Sequence, residues 1–226
     1  MKRYSVYKLY IVFITLLVGS CMNEIYAQTV ALETEGAQAS MAVDVAIAKR
    51  RSIRSFKDEP ILLNELSRLL WAAQGITDKP QKLRAAPSAG ALYPLELYVV
   101  VANVQGLPAG VYKYVVEIHA LEKVSEGDKR TEITKASYDQ SWITDAGAII
   151  VICGVYERVR RKYGIRASRY VHMEVGAVAE NIYLQGQALK IGTCFVGGFE
   201  DKKVQRVIES KRYEIPLAVL PFGKIE

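Results

Sequence analysis

The chain has 226 residues, is 50% hydrophobic and 24% charged, and carries only 16 Gly and 7 Pro, which excludes a disordered, collagen-like or small stapled scaffold and leaves room for one real core. Three cysteines fall short of a disulfide framework or a four-ligand zinc site, and two histidines, His119 and His172, leave little for a cluster, so no metal is expected. Lys and Arg number 30 against 24 Asp and Glu, a net charge of +6. With no long run of Lys and Arg, that excess suits an anionic small ligand, and no nucleic-acid partner is expected.

Lys2, Arg3 and Lys8 precede an apolar stretch from Leu9 to Gly19. A charged start, a short apolar run and then small residues make the layout of a secretory signal. The run is too short to span a bilayer as a mature helix. Two cleavage sites compete. Val18-Gly19-Ser20-Cys21 resembles a lipoprotein signal, in which Cys21 would carry the lipid and form the only link to a membrane. Cleavage after Ala27 would instead leave a soluble exported protein. Residues 1–27 are therefore assigned to a signal peptide, 28–40 to a polar tether and 41–226 to one domain, periplasmic or anchored as a lipoprotein. A chain exported unfolded would load any cofactor outside the cytoplasm.

Met41–Lys49 reads as a first helix, with Asp44 early and basic residues at its end. Leu62–Gly75 is the clearest amphipathic helix, placing Leu62, Leu66, Leu69, Leu70 and Ala73 on one face. Leu95–Ala102 is a buried strand, and Gly110–Ile118 with Ala120–Val124 a hairpin around a polar bend. Ala146–Val155 is a second central strand, Tyr170–Leu189 a long helix, Asp201–Glu209 a short one and Ile215–Phe222 a last strand. Helices alternating with a few apolar strands give an α+β class, a modest sheet wrapped by helices.

Three segments can carry chemistry. Arg50-Arg51-Ser52-Ile53-Arg54-Ser55-Phe56 sets three guanidiniums and two hydroxyls just after a helix. Such forks match phosphate oxygens, although cations at a solvated helix end are the plainer reading. The small, uncharged run Ala86-Pro87-Ser88-Ala89-Gly90-Ala91 leads towards a strand and could approach a flat ligand or form a plain turn. Gly197-Gly198, between Val196 and Phe199, permits unusual backbone angles and exposes amide N–H groups.

The order RRSIRSF, PSAGALYPLELYVV, GVYKY, YVHMEVGAVAENIYLQGQALKIG and CFVGGFED, ending in LPFGK, resembles the nitroreductase superfamily. The branch it most resembles is the azoline-oxidising, streptolysin-type dehydrogenases, which carry similar PSAGALYP and GVYKY segments. The resemblance runs from about Asp44 to Lys224. It implies a nitroreductase-like fold, a central mostly antiparallel sheet wrapped by helices, in an obligate-type homodimer with FMN at the subunit interface. By the same resemblance Arg50, Arg51, Ser52 and Arg54 clamp the phosphate and ribityl chain. Pro87, Ser88, Ala89, Gly90 and Ala91 form the loop laid against the flavin by the partner subunit. Gln140 is a polar contact to the ring, the Gly197 backbone N–H faces flavin N5 beside Gly198, and Lys224 is a C-terminal phosphate contact. The sequence stops at Glu226, so the C-terminal arm of many relatives is expected to be missing, and no peptide-recognition domain is visible.

The implied activity is that of an FMN-dependent oxidoreductase, with NAD(P)H as expected donor and a small electron-poor molecule as acceptor. A ligand- or flavin-binding protein of the same fold without turnover is the alternative. Chemistry on the flavin requires no dedicated acid or base, so no catalytic side chain is assigned. Cys153 and Cys194 are expected to be structural, His172 a surface or interface residue and His119 a solvated bend residue. Arg158, Arg160, Arg161, Lys162 and Arg166 form a basic stretch interleaved with Tyr156, Tyr163 and Tyr170. It reads as a solvated face or dimer rim, or as a docking patch for an anionic partner or a nicotinamide phosphate.

Overall fold

In a computed structural model describing residues 29–33 and 40–226, the chain runs β1 (Thr29–Ala31), α1 (Val43–Lys49), β2 (Ile61–Leu62), α2 (Leu63–Gln74), β3 (Ile76–Asp78), β4 (Leu83–Arg84) and β5 (Leu95–Val101). It continues through β6 (Val104–Gln105), β7 (Gly110–Val115), β8 (Ala120–Glu126), α3 (Arg130–Ala136), β9 (Ala148–Gly154) and α4 (Tyr156–Tyr163). The last elements are α5 (Ala167–Leu189), β10 (Ile191–Thr193), α6 (Asp201–Val207) and β11 (Ile215–Lys224). Seven strands make one sheet in the order β1-β8-β7-β5-β9-β11-β10. Every pairing in it is antiparallel. The fold is α+β, a central antiparallel sheet covered by helices on both faces.

β5 and β9 lie at the centre, in register from Leu95 opposite Gly154 to Val101 opposite Ala148. Both are covered on both faces, which is why they read as continuous apolar runs rather than alternating ones. On one face Leu97, Val99, Ile150 and Ile152 pack with α2 and α5. On the other, Tyr98, Val100, Val151 and Cys153 pack with α3 and α6. Leu66, Leu69 and Leu70 are fully buried, each contributing about 1.5–3 kcal/mol. Truncating one to Ala would cost about 2–5 kcal/mol.

α2 opens where Glu65 reaches back to accept the Leu62 N–H at 2.8 Å, satisfying a donor that the helix leaves free. α5 ends at Lys190, in the left-handed region at φ 55°. Its carbonyl accepts the Ile225 N–H at 3.1 Å, tying the helix end to the strand that closes the sheet.

Two expectations change. Residues 29–31, assigned to a tether, form an edge strand paired with β8, and the following Leu32 is buried with its N–H on the His119 carbonyl. Alternating Val30 and Leu32 give that short segment an apolar edge, and an open sheet edge offers it a ladder. His119, expected in solvent, is held on both ring nitrogens, by Ser67 Oγ at 2.8 Å and Tyr114 OH at 2.6 Å. The signal segment and Cys21 lie outside the described residues.

Candidate functional site

The site grows from the end of α1. The Arg50 N–H closes the helix on Ala46, and the chain then turns extended to run beside β10. Ser52 forms a parallel bridge with Thr193, and the Ile53 N–H donates to the Thr193 carbonyl at 2.9 Å. This registers the arginine segment against the run leading into Gly197.

Tyr183, from the middle of α5, locks the two together. Its hydroxyl accepts the Phe195 N–H at 2.7 Å and lies 3.2 Å from Ser52 Oγ. The Arg50 guanidinium lies 5.2 Å from the Tyr183 ring centre and 3.8 Å from Glu180. Arg54 stacks 5.7 Å from the Trp142 ring. Arg51 spends its donors locally, on the carbonyls of Ala48 and Arg50. The segment therefore divides: Arg50 and Arg54 lie against aromatic rings, whereas Arg51 caps a helix end.

The Glu200 N–H donates to the Ala136 carbonyl at 2.8 Å, drawing the glycine loop against the segment after α3. Gln140 lies in that segment, with its amide on the Ser137 carbonyl at 3.0 Å. Gly197 and Gly198 are exposed. Neither has the left-handed φ that would demand glycine, which corrects the expectation of unusual backbone angles. A Cβ on Gly197 would meet only the Phe195 ring at 3.5 Å, and one on Gly198 only the Tyr138 ring at 3.9 Å. The glycines therefore leave a bare peptide face open, in the run that Ser52 and Tyr183 join to the arginine segment. A planar ring with an anionic tail fits that arrangement, and FMN is such a group.

The Lys224 ammonium is engaged by Glu65, the acid that caps α2.

The Pro87–Ala91 loop packs beside the end of α4. Gly90 has φ +63°, and a Cβ there would come within 2.8 Å of both Lys162 Nζ and Tyr163 OH. Ser88 Oγ accepts the Tyr93 N–H at 2.9 Å.

The remaining candidates are structural. Cys153 is fully buried in β9, where burial pushes its thiol well above the usual range. Cys194 is buried, and His172 bonds to Tyr156 OH at 2.6 Å. Arg158 is drawn out of the basic stretch to the Tyr93 carbonyl and Glu96. Sequence reasoning missed Tyr183, Trp142 and Glu174. The last had a signal: it falls within the apolar stripe Val171, Val175, Val178, where a carboxylate is out of place.

Residues 47–224 match the model of the nitroreductase family. A Methanocaldococcus jannaschii protein named as a candidate nitroreductase is 44% identical over 181 residues, covering 80% of this chain and 89% of that one. The Escherichia coli microcin B17-processing protein McbC is 27% identical over 169 residues, 72% of this chain but only 62% of its own length. The crystal structure of a Ralstonia eutropha protein, also named as a candidate nitroreductase, superposes with a TM-score of 0.78 at 24% identity, over 89% of this chain and 91% of that one. With the family model running from α1 to the end of β11, and the arginine and glycine segments inside it, the chain belongs to the nitroreductase family of oxidoreductases.

Proposed function

We propose that this protein is an exported FMN-dependent oxidoreductase that takes electrons from a donor such as NAD(P)H and gives them to a small electron-poor acceptor. The observation that supports this reading is the parallel registration of Ser52 on Thr193, which aligns the arginine segment with the run leading to the exposed Gly197 and Gly198. In this reading Arg50 and Arg54 hold the phosphate by charge-assisted hydrogen bonds. Ser52 adds a short donor, and the Gly197 N–H is the donor offered to the ring. Gln140 supplies a polar contact at the ring edge. When bound, FMN supplies the redox chemistry; the chain contributes placement and polarity.

In this reading the protein is a homodimer, and the 87–91 loop of one subunit is laid against the flavin held by the other. Val43 and Ile47 on α1 and Met173 on α5 stand exposed by 67%, 56% and 62%, apolar surface that a second subunit would cover. Export rests on the charged and apolar layout of residues 1–27.

Reconstitution tests the reading. Purified protein incubated with FMN should turn yellow, bleach anaerobically on adding NAD(P)H and recolour with a nitroaromatic or quinone. Protein that stays colourless overturns the cofactor assignment. Protein that is yellow but never bleaches is a flavin binder without turnover with this donor.

A further inference from the structure

The segment from Ser88 to Tyr93 is strained, and Tyr93 is held by every polar group it has. Gly90, Ala91 and Tyr93 have φ of +63°, +54° and +45°, and for Ala and Tyr that region is costly. Such backbone persists only where the surroundings over-determine it.

The contacts can be followed atom by atom. The Tyr93 N–H donates to Ser88 Oγ at 2.9 Å. Its phenol oxygen accepts the Arg84 N–H at 3.1 Å, and the Arg84 guanidinium lies 4.6 Å from its ring centre. Its carbonyl accepts Arg158 NH1 at 2.5 Å. The next carbonyl, that of Pro94, accepts the Val155 N–H at 2.8 Å. Two consecutive carbonyls are thus gripped at the start of α4, one by backbone and the other by a side chain.

Arg158 is itself fixed from behind. Its NH2 group donates to Glu96 Oε1 at 2.5 Å. Glu96 Oε2 lies 3.1 Å from Lys113 Nζ, which donates to Glu214 Oε1 at 2.8 Å. The Tyr98 hydroxyl donates to the second Glu214 oxygen at 2.5 Å. The guanidinium therefore heads a row of alternating charges that crosses β5 and β7 and ends just before β11. Arg160, two residues along, pairs within its own helix with Glu157 at 3.5 Å. Arg158 instead uses its planar fork, one nitrogen on a carbonyl and the other on a carboxylate, a division that a compact ammonium does not reproduce.

We infer that Arg158 is a positioning residue, whose fork binds the Tyr93 carbonyl and the Glu96 carboxylate together, fixes the 88–93 segment in its left-handed conformation and so presets the surface that Ala89–Ala91 present to a bound cofactor. The inference rests on the proposed flavin role of this loop only for its consequence. The ordering of the loop is independent of it.

Two readouts separate these. The Ala91 N–H donates to the Ser88 carbonyl at 3.1 Å and the Tyr93 N–H to Ser88 Oγ, so both amides report on the segment. In cofactor-free Arg158→Met they should exchange faster by about tenfold or more, the scale of one lost hydrogen bond to a charged group. Amides of the central strand β9 should stay as slow as in wild type. Glu96 keeps Lys113 in this variant, which preserves the charge balance of the buried row. Arg158→Lys, which keeps the charge but not the fork, should recover only part of the protection. In the reconstituted protein FMN should bind most weakly to Arg158→Met and less weakly to Arg158→Lys. Unchanged exchange at Ala91 and Tyr93, equal acceleration in β9, or full recovery with lysine would overturn the inference. Faster local exchange with unchanged FMN affinity would leave the Arg158 latch in place and remove the flavin role of the loop instead.

Discussion

The Tyr183 hydroxyl accepts the Phe195 N–H at 2.7 Å and lies 3.2 Å from Ser52 Oγ, so one phenol on the long helix α5 joins the arginine segment to the strand that leads into the glycine face. Tyr183→Phe keeps the ring beneath Arg50 but leaves both polar groups without that partner. The expected cost is about 1–3 kcal/mol of stability, together with weaker FMN binding because Ser52 and Phe195 lose their common anchor. Urea unfolding and a flavin titration read the two effects. Wild-type values in both would show that the hydroxyl joins nothing.

Arg50 and Arg51 are neighbours with different duties. Arg50 lies over the Tyr183 ring, whereas Arg51 bonds to the carbonyls of Ala48 and Arg50. Arg50→Ala should weaken FMN binding by about 1.5–3 kcal/mol, roughly ten- to a hundredfold in Kd. Arg51→Ala should have a clearly smaller effect. Equal losses would return both residues to a single undivided clamp.

Lys224 offers a contrast. Its ammonium and the Glu65 carboxylate are largely shielded, with side-chain exposures of 18% and 10%. Lys224→Met leaves that acid with the Leu62 N–H but no cation, and should destabilise the fold by about 1–3 kcal/mol. FMN affinity of the folded fraction should not change. A loss of flavin binding at full stability would mean that the lysine reaches the phosphate after all.

His119 gives stability a pH dependence. Burial, and secondarily the nearby Arg68 cation, hold its imidazole below the ordinary value. Ser67, whose hydroxyl also donates to the Glu33 carbonyl, and Tyr114 both bond the neutral ring. The folded state thus takes up its proton at lower pH than the unfolded chain, whose histidine titrates near about 6.5. The contribution is complete above that value and is lost as pH falls from there towards the lower folded value. Unfolding midpoints should decline between about pH 7 and pH 5, and His119→Asn, which tolerates the left-handed φ of 47°, should flatten the decline. An unchanged slope in that variant would assign the effect to other groups.

How much of this was legible in the sequence depends on range. β5 and β9 announce themselves, because strands buried on both faces need unbroken apolar runs such as Leu95–Val101. The three residues of β1 are too short to carry a pattern, and only pairing with β8 makes them a strand. The arginine and glycine segments were visible as compositions, but their meeting depends on the Ser52 bridge to Thr193. Lys224 could not be assigned from its neighbours, since its partner Glu65 lies far away in the chain. Side chains whose duty is set by a distant partner leave little trace in local composition.

Gly197 tests the site most directly. Most glycines that a fold requires show it, by a left-handed φ or by a neighbour where a Cβ would go. Gly197 shows neither, and the nearest atom to a Cβ there is a Phe195 ring carbon at 3.5 Å, an ordinary contact. Replacing it by Val should therefore cost the empty fold little. The same Cβ and its methyl groups would stand where a planar ring must approach the peptide, crowding the ring and tilting the amide. FMN affinity should fall, and reduction by NAD(P)H per bound flavin should slow by about ten- to a hundredfold, the value of one charge-assisted hydrogen bond at 1.36 kcal/mol per decade. A residue that merely shapes a turn would give the opposite pattern, lower stability with normal turnover per flavin. Thermal unfolding of the cofactor-free variant and single-turnover reduction normalised to bound FMN distinguish the two. A normal normalised rate would show that the Gly197 amide does not address the ring, and would leave the open peptide face as a surface without that duty.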